Sequence, residues 1–190
     1  ELVQEAVTEY DCVWAEQADQ RGTGHAMVQA MPHMMDMDRV LVLYGDVPLI
    51  ATSTLRGMVE GSGITDLGLL TTVLPDPTGY GRIVRDDAGR VVRIVEQRDA
   101  SQVELDIHEV NTGFLVADRS RLADWLARIR NDNAQGEYYL TDIVRFAVDD
   151  GVDVSTTQPG TVEEVAGVND RVQLAALERH YQLTLAEELM

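Results

Sequence analysis

The chain has 190 residues, 45% hydrophobic and 25% charged, the composition of one globular domain. Its 15 basic residues, all Arg, face 33 acidic ones for a net charge of −18, a field that repels polyanions and disfavours nucleic-acid binding. No apolar run reaches the roughly 20 residues of a membrane span, and the single cysteine, Cys12, excludes an internal disulfide framework, so the expectation is a protein of the reducing cytoplasm with no membrane partner.

The sequence opens Glu1-Leu2-Val3-Gln4-Glu5, without an initiator Met or a basic and apolar leader, and closes at Met190 inside a helical pattern; it reads as a piece of something longer. Cys12 has no basic or His neighbour and reads as a buried bystander thiol. In Arg21-Gly-Thr-Gly-His-Ala26, two glycines around Thr23 let backbone N–H groups approach a ligand at a helix start. The same residues equally make an ordinary turn and cap. Arg39-Val-Leu-Val-Leu-Tyr44 is apolar at almost every position, which predicts a strand covered on both faces. In Tyr44-Gly-Asp-Val-Pro-Leu49, Gly45 permits a tight turn and Pro48 ends the strand. Asp46 thereby falls at the carboxyl end of a strand, where α/β folds place ligands. A carboxylate there suits a hard cation such as Mg²⁺, and an Asx turn is the competing reading.

A helix from Thr52 or Ser53 through Leu55 and Met58 leads to a second strand, Leu67–Leu74. Asp76-Pro-Thr-Gly-Tyr-Gly-Arg82 suits a loop folding over a flat ligand, although it lacks the Lys and Ser/Thr of a P-loop. A hairpin follows, Arg82–Arg85 and Arg90–Val95, turning at Asp86-Asp-Ala-Gly89 and ending in Glu96. Asn111 precedes a strand at Gly113–Ala117, and Asp118 caps a helix with Leu122, Trp125, Leu126 and Ile129 on one face. The polar loop Asn131–Asp142 ends in aromatics. In it Tyr139 and Thr141 either touch a ligand or, for Thr141, cap a helix through Ile143, Val144, Ala147 and Val148 that closes at Gly151. Asn169 or Asp170 starts the last helix, through Leu174, Leu177, Tyr181 and Leu185; Asn169 is at once a favoured cap and an oxygen donor for a metal. The four His residues show no i, i+4 pairing and no Cys partners, which argues against a zinc site. Strand–helix alternation predicts an α/β fold of three layers, a mostly parallel sheet with helices on both faces.

Taken in order, the segments around Gln17 and Gly22–Ala26, Tyr44–Leu49, Asp76–Arg82, Ile94–Glu96, Val110–Gly113, Asn131–Asp142 and Gly167–Leu174 resemble the uridylyltransferase domains of the bacterial bifunctional enzymes that make UDP-N-acetylglucosamine. The resemblance implies a Rossmann-like nucleotide-diphospho-sugar transferase fold whose N-terminal strand is missing here. It implies residues 1–168 as a partial uridylyltransferase domain and 169–190 as a helix leading toward an absent β-helix domain. The implied reaction joins UTP and N-acetylglucosamine 1-phosphate into UDP-N-acetylglucosamine and pyrophosphate, with Mg²⁺ as cofactor. By the same resemblance Gln17, Gly22 and Thr23 hold the uracil. Tyr44, Gly45 and Asp46 line the nucleotide, and Gly81, Glu96, Asn111, Tyr139 and Thr141 surround the sugar. Asp46 and Asn169 hold the metal. The family's Gly-rich loop with its Arg and Lys has no counterpart, and the chain contains no Lys, so the piece alone is expected to be impaired and monomeric or weakly associated, within a parent trimerised by its β-helix. Two other readings stay open: a transferase for another sugar 1-phosphate, and a non-catalytic sugar-nucleotide-binding module. The retained pair Asp46 and Asn169 argues against the second, which has no need of a metal.

Overall fold

The computed structural model describes residues 2–61 and 67–190. Six strands form one sheet: β1 (Arg39–Val42), β2 (Leu67–Val73), β3 (Arg82–Arg85), β4 (Val91–Val95), β5 (Glu109–Asp118) and β6 (Val154–Thr157). The helices are α1 (Leu2–Ala6), α2 (Thr23–Ala30), α3 (Thr52–Gly61), α4 (Gln102–Leu105), α5 (Arg119–Leu126), α6 (Asp142–Asp149) and α7 (Arg171–Glu188), with 3-10 turns at Met31–Met34 and Val162–Val165. No described helix is long and apolar enough to cross a membrane.

The ten-residue β5 is the axis of the sheet. It pairs with β2 along one side; on the other it pairs with β1 through Leu115–Asp118 and with β3 at Val110. The expectation of a mostly parallel sheet fails in its pairings. Among the described residues only β2 with β6 is a parallel pair, and the other four pairings are antiparallel. The reason lies in β5, which runs against β1, β2 and β3 and separates β2 from the other two. An all-apolar strand reports that both its faces are buried, not which way its neighbours point.

Both faces are indeed covered. Val40, Leu67, Leu69, Leu115 and Ala117 point into a core closed by α5 and α6, with Met27 of α2 and Met31 packed at its margin. The residues between them, Leu41, Leu70 and Phe114, point into a second core with Met58 of α3 and Val165. This alternation is the period of two expected of a strand. Asp118 caps α5 as expected, its carboxylate accepting the Arg121 N–H at 2.9 Å. Gly151 sits at φ 73° just past α6, in the left-handed geometry of a helix stop.

Other expectations are corrected. The strand containing Gly113 begins at Glu109, so Asn111 lies inside it. Between Leu69 and Thr71 the pairing with β5 slips, leaving Thr112, Gly113 and Phe114 as a bulge. Of the two residues offered for the start of α7, the cap is Asp170, whose carboxylate accepts from Val172 and Gln173 N–H at 2.8 Å. Of the apolar residues of α7 only Leu177 is buried; Leu174, Tyr181 and Leu185 are exposed. Cys12 is exposed rather than buried, within an irregular segment that contributes nothing to either core.

Candidate functional site

Two adjoining clefts open at the carboxyl ends of β1 and β4 and along the bulge of β5. The first, about 300 Å³, is lined by Thr23, Tyr44, Gly81, Glu96, Asn111, Tyr139 and Thr141, together with Gly79, Tyr80, Thr112, Gly113, Gln135 and Glu137. The second, about 380 Å³, is lined by Tyr44, Asp46, Gly167 and Asn169 among others. Tyr44, Gly79, Tyr80 and Thr112 border both.

The bulge builds the junction. Thr112 Oγ1 donates to Leu70 O at 2.7 Å and Gly113 N–H donates to Asn111 Oδ1 at 3.2 Å, which replaces the interrupted ladder. Gly113 stands at φ 90°, and a Cβ there would collide with Tyr44 Cε2. Only glycine lets the Tyr44 ring lie against the strand. Burial, then the negative charges of Glu96 and Asp46, raise the Tyr44 pKa, which marks this ring as the wall between the two carboxylates.

Glu96 follows β4, half-buried, and its Oε1 accepts the Thr141 hydroxyl at 2.8 Å. Thr141 therefore makes no side-chain cap bond at the start of α6, although it occupies the capping position. Gly81 faces this carboxylate; a Cβ there would lie 2.9 Å from Ile94 and 3.4 Å from both Glu96 oxygens. Burial raises the Glu96 pKa, the Thr141 bond pulls it down, and Asp99 and Asp142 push it up. Asp142 is itself raised, by burial first, with Arg145 lowering it and Asp99 raising it. Burial also raises Tyr139, whose hydroxyl accepts from Gln135 Nε2 at 2.9 Å and donates to Asp99 Oδ2 at 3.3 Å. The wall is thus rich in acceptors, the chemistry that grips a polyhydroxyl ligand.

In the second cleft, Val168 N–H donates to Asp46 O at 2.8 Å and so draws the loop before α7 onto the turn after β1. A Cβ on Gly167 would stand 3.9 Å from both the Asp46 carboxylate and the Asn169 side-chain amide. Both side chains are exposed to the cleft mouth. The Asn169 atom nearest this gap is Nδ2; with the amide turned so that Oδ1 faces the Asp46 carboxylate, the pair fits a hard divalent cation that takes its other ligands from phosphates and water. Among the described residues no three His, Cys, Asp or Glu side chains group for a metal.

Gln17 and Gly22 stand apart from the lining of both clefts, as does Gly45. Gln17 Nε2 donates to Gly22 O at 3.1 Å and lies 3.0 Å from His25 Nδ1, bracing the turn before α2. Thr23 joins that turn to the first cleft, its Oγ1 accepting the Leu140 N–H at 3.1 Å. Sequence reasoning did not single out Gln97, Asp99, Gln135 or Gln173, because nothing in a polar turn indicates which distant loop it touches. Proximity to Glu96 in the chain was the one available signal for Gln97 and Asp99.

Residues 2–161 match the family model described as nucleotidyl transferase. The whole chain is 55% identical to the "Bifunctional protein GlmU" of Cupriavidus metallidurans and 56% identical to that of Azoarcus sp., spanning 42% of each relative's length. The counterpart from Aromatoleum aromaticum is 59% identical over 177 residues, 93% of this chain and 39% of that protein. Among solved structures, a UDP-glucose pyrophosphorylase complexed with UDP-glucose superposes with a TM-score of 0.67 at 15% identity, covering 95% of this chain and 72% of the other, which shows a shared fold.

Proposed function

Because this chain belongs to the nucleotidyl transferase family, we propose that it transfers a uridylyl group from UTP to N-acetylglucosamine 1-phosphate in the cytoplasm, as the uridylyltransferase part of a bifunctional protein. The observation that carries the reading is the pair of contiguous clefts sharing Tyr44: an acceptor-rich one built by Glu96, Asn111, Tyr139 and Thr141, and one built by Asp46 and Asn169.

In this reading the first cleft takes the sugar. Glu96 uses one oxygen for Thr141 and offers the other to sugar hydroxyls. Asn111, lining the same wall, presents an amide able to pair with the N-acetyl group. The hydroxyl of Thr23 keeps its proton to donate, since its oxygen already accepts from Leu140. Gln17 retains its Oε1 beside the same turn for a uracil N–H, with Gly22 shaping that turn and Gly45 giving the nucleotide room next to Tyr44 and Asp46.

Asp46 and Asn169 would hold Mg²⁺, which supplies charge neutralisation at the phosphates. The residues of the chain set geometry. The sugar phosphate oxygen forms a bond to the α-phosphorus of UTP as the bond to pyrophosphate breaks in line, and no covalent protein intermediate is required. A chain with net charge −18 has every reason to keep its carboxylates on the hydroxyls and to meet the phosphates through a cation.

The test is pyrophosphate release from UTP and N-acetylglucosamine 1-phosphate with Mg²⁺, using the protein as its gene encodes it. Release with this sugar well above release with glucose 1-phosphate is expected. Equal or preferred use of glucose 1-phosphate would refute the sugar assignment, and binding without turnover would identify a non-catalytic module.

A further inference from the structure

Glu96, Gln97 and Asp99, within four consecutive residues after β4, tie two different loops, 76–82 and 131–142. Gln97 Oε1 accepts the Gly79 N–H at 3.2 Å and Arg82 Nη2 at 2.6 Å. Arg82, almost fully buried, also donates to Tyr80 O, so the glycine-rich loop 76–82 hangs from Gln97 through two routes. Asp99 works in the opposite direction. Its Oδ1 accepts the Ala134 N–H at 2.8 Å and its Oδ2 accepts the Tyr139 hydroxyl at 3.3 Å, with Gln135 Nε2 closing the chain onto that hydroxyl. Glu96 between them holds Thr141. Neither Gln97 nor Asp99 lines the 300 Å³ cleft, yet Gly79, Tyr80, Gln135 and Tyr139, which they hold, all do.

We propose that Gln97 and Asp99 are positioning residues that form a bracket across the cleft, Gln97 fixing the glycine-rich wall and Asp99 the Gln135–Tyr139 wall, so that together they set the width available to the sugar. The inference rests on the functional reading above and adds a division of labour to it. Gly79 borders both clefts, whereas Gln135 and Tyr139 border only the first of the two. Asp99 therefore acts on the sugar alone, and Gln97 acts on sugar and nucleotide together.

The test has two arms, both in the protein as its gene encodes it. Amide exchange reads the bracket without any turnover. Asp99→Ala should speed exchange at Ala134 about tenfold while α6 stays protected, as expected for one lost hydrogen bond. Asp99→Asn should restore most of the protection, because its amide oxygen still accepts from Ala134. Unchanged exchange at Ala134 in Asp99→Ala overturns the bracket. Kinetics reads its consequence. Asp99→Ala should raise KM for N-acetylglucosamine 1-phosphate about 5- to 30-fold, the effect of two lost hydrogen bonds, with KM for UTP unmoved. Gln97→Ala should raise both. A fall in kcat with neither KM changed overturns the positioning role. Absence of uridylyl transfer in the unsubstituted protein would overturn the functional reading instead, while the exchange arm still decides the bracket.

Discussion

Thr141→Val removes one oxygen and changes little else. The side chain keeps its shape, and the hydroxyl serves no capping bond that α6 would miss. What is lost is the 2.8 Å bond to Glu96, the sole hydrogen bond to that carboxylate among the described residues. A hydrogen bond to a charged group contributes about 1.5–3 kcal/mol, or about 10- to 150-fold in binding. The cleft is open enough for water to replace part of that, so the low end applies, and KM for N-acetylglucosamine 1-phosphate should rise about tenfold. The pH dependence carries more information. Burial already holds the Glu96 pKa above its ordinary value, Asp99 and Asp142 add to this, and Thr141 is the group that opposes it. Without Thr141 the pKa rises further. Glu96 must be ionised to accept from sugar hydroxyls, so kcat/KM for the sugar phosphate should fail at a higher pH on acidification than in the parent protein. Stability moves with the opposite sign. A carboxylate whose folded pKa is raised contributes stability below its unfolded pKa and loses it as pH rises through the folded pKa. Thr141→Val should therefore lose stability relative to the parent on the alkaline side of the Glu96 titration and not on the acid side. Pyrophosphate release across pH and urea unfolding at pH values flanking the titration measure the two effects. A KM within about twofold of the parent, with an unmoved acid limb, would refute the placement of Glu96 and Thr141 on the sugar.

Asp46→Ala should reduce uridylyl transfer by about 10²-fold or more, the scale of losing one electrostatic contact to the transition state. Its melting curve should stay unchanged, because Asp46 is exposed and anchors its neighbours through its backbone carbonyl; parallel loss of helicity by circular dichroism would assign it to folding. Asn111→Ala should narrow the preference for N-acetylglucosamine 1-phosphate over glucose 1-phosphate, read as the ratio of the two kcat/KM values. An equal fall with both sugars would reduce Asn111 to its bond with Gly113 in the bulge. Gly113→Ala should cost about 2–4 kcal/mol in urea unfolding, combining the strain of a left-handed φ with expulsion of the Tyr44 ring. KM for both substrates should rise with it, since Tyr44 borders both clefts.

Local features of this fold were legible from residue order because their causes are local. Val40 and Leu41 point to opposite faces since a strand alternates, and the uninterrupted apolar run of β1 announces that both faces are covered. Asp118 caps α5 and Gly151 ends α6 through bonds and dihedrals that span a few residues. The same holds for the hairpin of β3 and β4, closed at Gly89 with φ 80°. β6 escaped notice because Val-Ser-Thr-Thr is short and largely polar; it is a strand by virtue of its parallel pairing with β2, a partner more than eighty positions away.

Tertiary structure alone decided strand direction, the identity of the α7 cap, and above all the use of each polar side chain at the cleft. Thr141 and Asn169 both sit where a helix begins, and the sequence offers each the same two roles. The difference is that Glu96 comes within 2.8 Å of Thr141, whereas Asp170 is positioned to cap α7 in place of Asn169. Gln97 and Asp99 are ordinary turn residues until loops 18 and 35 positions away close on them. A hydrogen bond extends only about 3 Å, so the partner that satisfies a polar group is chosen by which segments the packed sheet brings together, and no spacing along the chain encodes that distance.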